Sequence, residues 1–314
     1  MRLLHKLRRR LNWEKLSPPT AREEQLIGNL RREIYALPTL VESQAASDAE
    51  RAWLRNRQML RAELLAKDPR GFVDFPVIQD TMFINDASWL LAELQTLEGE
   101  TNFAGRWKPL LKAPSPFPFP RYCEMPSTNG LAVHHAYHLQ QFEKATRTDI
   151  SRFKRLFEFG GGFGHLCRLV HHLGFKGEYV IFDLPEFSAL QKFYLEAHDI
   201  PAKAEGHASN VVRFHTDMAA ACNLMRSAPP DVFIATWSFS EAPPWIRERM
   251  MPEIIAARHL LIAYQKRFEE IDNDQFFRGW AAAQTKFDCQ FVQIKNLPGE
   301  NYYMFATQKR SAGS

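Results

Sequence analysis

The residues best placed to do chemistry form a short turn, Glu158-Phe159-Gly160-Gly161-Gly162-Phe163-Gly164. The apolar run RLFEF leads into it and the amphipathic run HLCRLVHHLGF leads out. This order predicts a strand, a tight turn and a helix N-terminus. In such a turn glycine lets backbone approach a ligand, and the first helical N–H groups point into a cleft. A dinucleotide fingerprint, G-x-G-x-x-G, counted from Gly160 and Gly162, needs a glycine where His165 stands. The pattern present is acid-x-G-x-G-x-G. A second apolar run, YVIFD, ends on Asp183. A carboxylate there can accept both hydroxyls of a nucleoside ribose, or it can cap the helix that follows Pro185.

Two further groups carry titratable side chains. His134, His135 and His138 fall on one predicted helix, with His134 and His138 on a shared face. They suit a base, a polar face or satisfied buried imidazoles. No acid partner stands at metal-binding spacing, so no metal site is expected. Glu241 closes Trp237-Ser238-Phe239-Ser240-Glu241, just beyond a fourth apolar run. Ligands gather past strand C-termini, which makes Glu241 a candidate base; an acid favoured by a helix macrodipole is the other reading. His171 and His172 lie beyond the glycine turn and read as structural.

The elements that must position these groups alternate. RLFEF, YVIFD, NVVRFHT, DVFIATW and HLLIAY read as strands, separated by helical runs such as FSALQKFYLEAH and WIRERMMPEIIAARH. The end, FVQIKNLPGENYYMFATQK, reads as a hairpin around Pro-Gly-Glu-Asn. Alternation predicts a mostly parallel sheet with helices on both faces and an antiparallel edge. Upstream, Leu26, Ile27, Leu30, Ile34 and Leu37 form an apolar stripe stopped by Pro38, and Trp53, Leu60 and Leu64 form another. Asn85 or Asp86 is expected to cap a third helix bearing Trp89, Leu90, Leu94 and Leu97. GFVDFPVIQDTMF, interrupted by Pro76, reads as irregular. The prolines from Pro109 to Pro126 exclude a helix or a central strand; they predict a stiff connector or one wall of a cleft. Ser127 or Thr128 is expected to open the histidine helix, which runs to about Thr146. The division is thus a helical extension with its proline connector over 1–126 and an α/β core over 127–314.

Composition narrows the partners. The net charge of +4 is too mild to argue for nucleic acid. Cys123, Cys167, Cys222 and Cys289 form no C-x-x-C pair, which reads as reduced thiols in a cytoplasmic protein. No run approaches the ~20 apolar residues of a membrane span. The N-terminal MRLLHKLRRRLNW is basic and amphipathic without the long apolar run of a secretory signal. It reads as a solvated terminal helix, or as a weak contact with an anionic membrane surface or a partner.

With these residues in view, the chain resembles the bacterial sugar O-methyltransferase family of class I S-adenosylmethionine-dependent methyltransferases. LFEFGGGFGHLCRLV, YVIFDLPEFSALQKFYL and ATWSFSEAP carry the resemblance, with PVIQDTMF and NGLAVHHAYHL upstream. It extends from about residue 70 to about 310. Phe163 stands where most such families have tyrosine. The resemblance implies a Rossmann-like, seven-stranded, mostly parallel sheet with an antiparallel C-terminal hairpin strand. It implies S-adenosyl-L-methionine as cofactor, held by Glu158, Gly160, Gly162, Gly164, Asp183, Leu184, Asp217 and Met218. There Glu158 would organise the turn and the methionine amino group, and Asp217-Met218 would meet the adenine, Asp217 otherwise being a plain loop acid. The implied reaction is methyl transfer to a hydroxyl of a sugar or glycan precursor, with Glu241 or His138 as base. A different small-molecule acceptor, a non-catalytic cofactor-binding scaffold and a nicotinamide oxidoreductase are the competing expectations.

Overall fold

A computed structural model of the chain describes residues 16–40, 47–84, 87–202 and 210–309. The basic N-terminal segment lies outside the described residues. Helix α1, Ala21–Ala36, is opened by a capping box in which Thr20 and Glu23 bond each other's backbone. It stops at Leu37, which is extended as a residue before proline must be. Helix α2, Asp48–Ala66, opens with the same device from Ser47 and Glu50. Leu30, Ile34, Leu60 and Leu64 are buried, as their spacing predicts.

Three expectations along this stretch need correction. The segment read as irregular forms a 3₁₀ turn, Pro69–Asp74, and a one-turn-plus helix, Pro76–Thr81. Pro76 starts that helix instead of breaking it, because the first helical position needs no N–H donor. Helix α3, Leu90–Glu98, begins at Trp89 without a side-chain cap; Asn85 and Asp86 lie outside the described residues. Pro109 likewise sits in the first turn of a short helix, Lys108–Leu111, inside the proline-rich stretch.

Beyond that turn the proline-rich stretch packs as a stiff connector. Phe117 stacks on Tyr194, Phe119 lies 6.1 Å from Phe163, and Arg168 donates to the carbonyls of Ala113 and Pro114. Helix α4, Gly130–Thr146, is capped by Asn129, whose side chain accepts from Ala132 N–H. Thr128 is already committed to a turn: its carbonyl accepts from Tyr122 and its N–H donates to Met125. The helix therefore opens one residue later than Thr128.

The sheet follows: β1 Arg155–Phe159, β2 Glu178–Phe182, β3 Val211–His215, β4 Val232–Thr236, β5 His259–Gln265, β6 Phe287–Gln293 and β7 Asn301–Gln308. Helices α5 His165–His172, α6 Pro185–Ala197, α7 Met218–Ser227, α8 Pro244–Ile254 and α9 Asn273–Ala283 alternate with the strands. The strand order is β3-β2-β1-β4-β5-β7-β6. The first five strands pair in parallel, and β7 runs antiparallel between β5 and β6. This is the Rossmann-like, mostly parallel seven-stranded architecture expected from the sequence, with its antiparallel closing hairpin. One apolar core packs α1 to α6 on one face, and a second packs α7 to α9 on the other. The strand order reverses between β1 and β4, and open α/β sheets bind ligands in the crevice at that point. Among the described residues no helix is long and apolar enough to cross a membrane.

Candidate functional site

The glycine turn leaves β1 at the reversal point. Gly160 N–H donates to the Phe182 carbonyl (2.8 Å), tying the turn to β2. Ser238, just after β4, donates its hydroxyl to the Phe159 carbonyl and tethers the other side. Gly160, Gly162 and Gly164 all have positive φ, at 70°, 59° and 89°. At Gly160 the requirement is double, since an added Cβ would collide with the Ser238 Cβ. Gly164 then serves as N-cap of α5.

Two carboxyl groups lie against this turn. Glu158 is 2% exposed and accepts one hydrogen bond from the Tyr179 hydroxyl, at 2.9 Å. Burial pushes its pKa up to about 8, with a further push from the nearby Asp183. Asp183 follows β2 and accepts from the Leu184 N–H (2.7 Å) and the Gln191 amide (2.6 Å). Burial raises its pKa to about 7, although the Gly161 and Gly162 amides also favour its ionised form. No cation stands among the groups acting on either acid. The carbonyl oxygen of the Gln191 side chain is buried beside them without a partner. The turn is thus flanked by acceptors, with no cation acting on its two acids. It suits a ligand that brings an ammonium group and hydroxyl donors.

The remaining cofactor candidates flank this centre. Leu184 is the N-cap residue of α6 and packs against the first core. Asp217 is exposed and caps α7, accepting from Ala220 N–H at 2.7 Å. Met218 packs partly buried against the second core.

On the β4 and β5 side the structure gathers a second group. Trp237 follows β4 with φ 72° and ψ −46°, a strained conformation for a residue with a side chain. Its ring lies parallel to that of His134, 8° apart in plane with centroids 6.3 Å apart. His134 Nδ1 lies 3.0 Å from both carboxylate oxygens of Glu93, which is fully buried on α3. Asn296, in the turn between β6 and β7, donates to the same Glu93 at 2.8 Å. His138 is fully buried, with Nδ1 on the Tyr303 hydroxyl and Nε2 without a partner. Burial, helped by His134 and His135, holds the His138 pKa well below the usual imidazole range. His135 meets His165 through their Nδ1 atoms, and burial depresses its pKa to about 3. Glu241 is partly buried and accepts from Gln265 at 3.3 Å; burial raises its pKa while Arg247 opposes the rise. His171 bonds the Cys167 carbonyl of its own helix, a structural role.

Glu93, Trp237, Asn296 and Tyr303 are absent from the sequence-derived candidates. Glu93 did leave a signal: an acid three residues after Leu90 and four before Leu97, inside an otherwise apolar stripe. Among the described residues no cluster of three His, Cys, Asp or Glu side chains is arranged to hold a metal ion. A surface cavity of about 320 Å³ lined by Arg106, Lys112 and His172 lies at the far end of α5 from the glycine turn.

No family model matches the chain, and no curated protein matches it. Solved structures of similar fold include a SAM-dependent methyltransferase from Aquifex aeolicus (14% identity, 55% of this chain and 92% of that one, TM-score 0.37). They also include a Klebsiella pneumoniae protein described as an O-methyltransferase (11% identity, 76% and 97%, TM-score 0.40). A third is the 16S rRNA methylase ArmA (11% identity, 71% and 99%, TM-score 0.36). Similarity at this level leaves the function to be read from the residues of the site.

Proposed function

We propose that the chain is an S-adenosyl-L-methionine-dependent O-methyltransferase whose acceptor is a hydroxyl of a sugar or glycan precursor. One observation carries the cofactor assignment. Two carboxyls without a cation, the buried Glu158 and the half-buried Asp183, bracket a positive-φ glycine turn at the reversal point of the sheet. A nucleoside with a sulfonium and an amino group supplies the hydroxyl donors and positive charge that such a turn lacks. Asp183 would accept the ribose hydroxyls, and Glu158 would hold the amino end through the turn. Gly160, Gly162 and Gly164 would let backbone approach, Leu184 and Met218 would cover the adenine, and Asp217 would meet its amino group. When bound, the cofactor supplies an activated methyl group, so the protein mainly aligns the acceptor oxygen for an in-line displacement.

Residues 127–314 would then form the catalytic core, and the helical extension would cap the acceptor side. The partly exposed rings of Trp89 and Trp237 beside His134 give that side the apolar faces against which a sugar ring can lie. The sugar assignment rests on these rings and on the family resemblance.

Calorimetric titration of the purified protein with S-adenosylmethionine, S-adenosylhomocysteine and NADH tests the reading. The first two should bind and NADH should not. Asp183→Ala should weaken binding by about 10–100-fold, the scale of lost hydrogen bonds to a charged group. Absence of binding by either sulfur nucleoside would overturn the proposal. Transfer of labelled methyl to a panel of sugar nucleotides and methyl glycosides tests the acceptor; a scaffold would bind the cofactor without turnover.

A further inference from the structure

Glu93 and His134 come from separate segments, 41 residues apart, yet form a buried pair beside Trp237. Trp237 immediately precedes Ser238, which touches Gly160. The pair therefore packs on the residue that follows β4, one residue from the contact with the glycine turn, and an acceptor approaching a methyl group held by that turn would pass this side. We propose that His134 is the base that removes the acceptor's hydroxyl proton, with Glu93 as its positioning residue. This rests on the methyltransferase reading above.

The chemistry follows from the contacts. An ionised carboxylate only accepts hydrogen bonds, so Glu93 requires the proton on His134 Nδ1 and places the lone pair on Nε2. Asn296 fixes the Glu93 carboxylate from the β6–β7 turn. Trp89, edge-on at 5.0 Å, and Trp237, parallel to the ring, fix the plane of the imidazole. The other titratable groups facing His134 are His135 and His138 on its own helix, with Tyr303 behind His138 on β7. Neither histidine matches it. His135 is engaged with His165, and His138 meets a tyrosine hydroxyl that can either donate or accept and so sets no tautomer. In the reaction the acceptor O–H proton passes to Nε2. The oxygen's electron pair forms the new bond to the methyl carbon, and the pair of the broken carbon–sulfur bond stays on sulfur. The imidazolium later returns the proton to water.

The test uses the full chain with S-adenosylhomocysteine bound. Nitrogen-15 histidine spectra across pH should show His134 as the Nδ1–H tautomer, and Glu93→Leu should abolish that preference. An Nε2–H tautomer in the wild-type protein would overturn the proposal whatever acceptor is used. With a sugar nucleotide or methyl glycoside methylated by the wild type, His134→Gln should lower kcat by about 10²–10⁴-fold. Its KM and cofactor affinity should stay within a few-fold. Glu93→Gln, which preserves shape, should lower kcat by about tenfold or more, as the loss of an orienting partner does. Wild-type kcat in His134→Gln, or an equal loss confined to His138→Gln, would overturn the assignment. Failure of the wild type to bind S-adenosylmethionine would instead overturn the methyltransferase reading.

Discussion

At the scale of single residues, the glycine turn combines backbone geometry with close approach. Gly160→Ala would place a Cβ against Ser238 and hold a side-chain residue at φ 70°. We expect a loss of about 1–3 kcal/mol from strain at such a position and loss of nucleoside binding. Denaturant unfolding and calorimetry would measure both. Ser238→Gly in the same chain should recover only the part due to the collision, since it leaves φ unchanged; full additivity of the two changes would contradict the contact. The two acids make a second prediction. Their folded pKa values, about 8 for Glu158 and about 7 for Asp183, stand above the ordinary carboxylate range. Between about pH 4 and pH 8 the folded protein therefore holds more protons than the unfolded chain, and stability falls as pH rises through that window. The ligand-free protein should lose melting temperature from pH 5 to pH 8.5, at ~2–4 °C per kcal/mol. Asp183→Asn, which cannot ionise, should flatten the slope. A slope unchanged in Asp183→Asn would show that the carboxyl is not the source.

At the scale of elements, the helical extension is riveted to the core by charge as well as by apolar contact. Glu186, in the first turn of α6, is fully buried and pairs with Arg57 at 2.6 Å and with Arg61, both on α2. Replacing both arginines by methionine would leave a buried carboxylate unpaired. The cost should be about 3–5 kcal/mol, read as a shift in denaturant midpoint; Glu186→Gln added to that double variant should restore much of it. What the sequence discloses divides along the same line. The strands and the amphipathic helices were legible because each buries one face and repeats its apolar residues at one period. The cap of α4 was misplaced by the sequence reading, which pointed to Ser127 or Thr128, because a turn already claims Thr128 and Asn129 opens the helix. The glycine turn and Asp183 were legible because consecutive residues create them. The His134–Glu93 pair was not, because its members and Asn296 lie on α3, on α4 and in the hairpin turn, up to 203 residues apart.

At the scale of the whole molecule, the candidate site draws on four of the seven strands. β1 and β2 present the turn and its two acids, β4 presents Trp237, and β7 presents Tyr303. A ligand that selects the ionised acids should stabilise the protein most at alkaline pH, where the empty site is least stable. Saturating S-adenosylhomocysteine should therefore raise the melting temperature more at pH 8.5 than at pH 5.5, and an equal rise at both would contradict the linkage. The position of β7 between β5 and β6 has a consequence for the order in which the molecule assembles. Tyr179 reaches Glu158 across 21 residues, whereas Tyr303 reaches His138 across 165. Closing the longer loop fixes far more chain before any contact repays it. As the chain is synthesised, Tyr179 can meet Glu158 beside the glycine turn while His138 still awaits Tyr303 on β7.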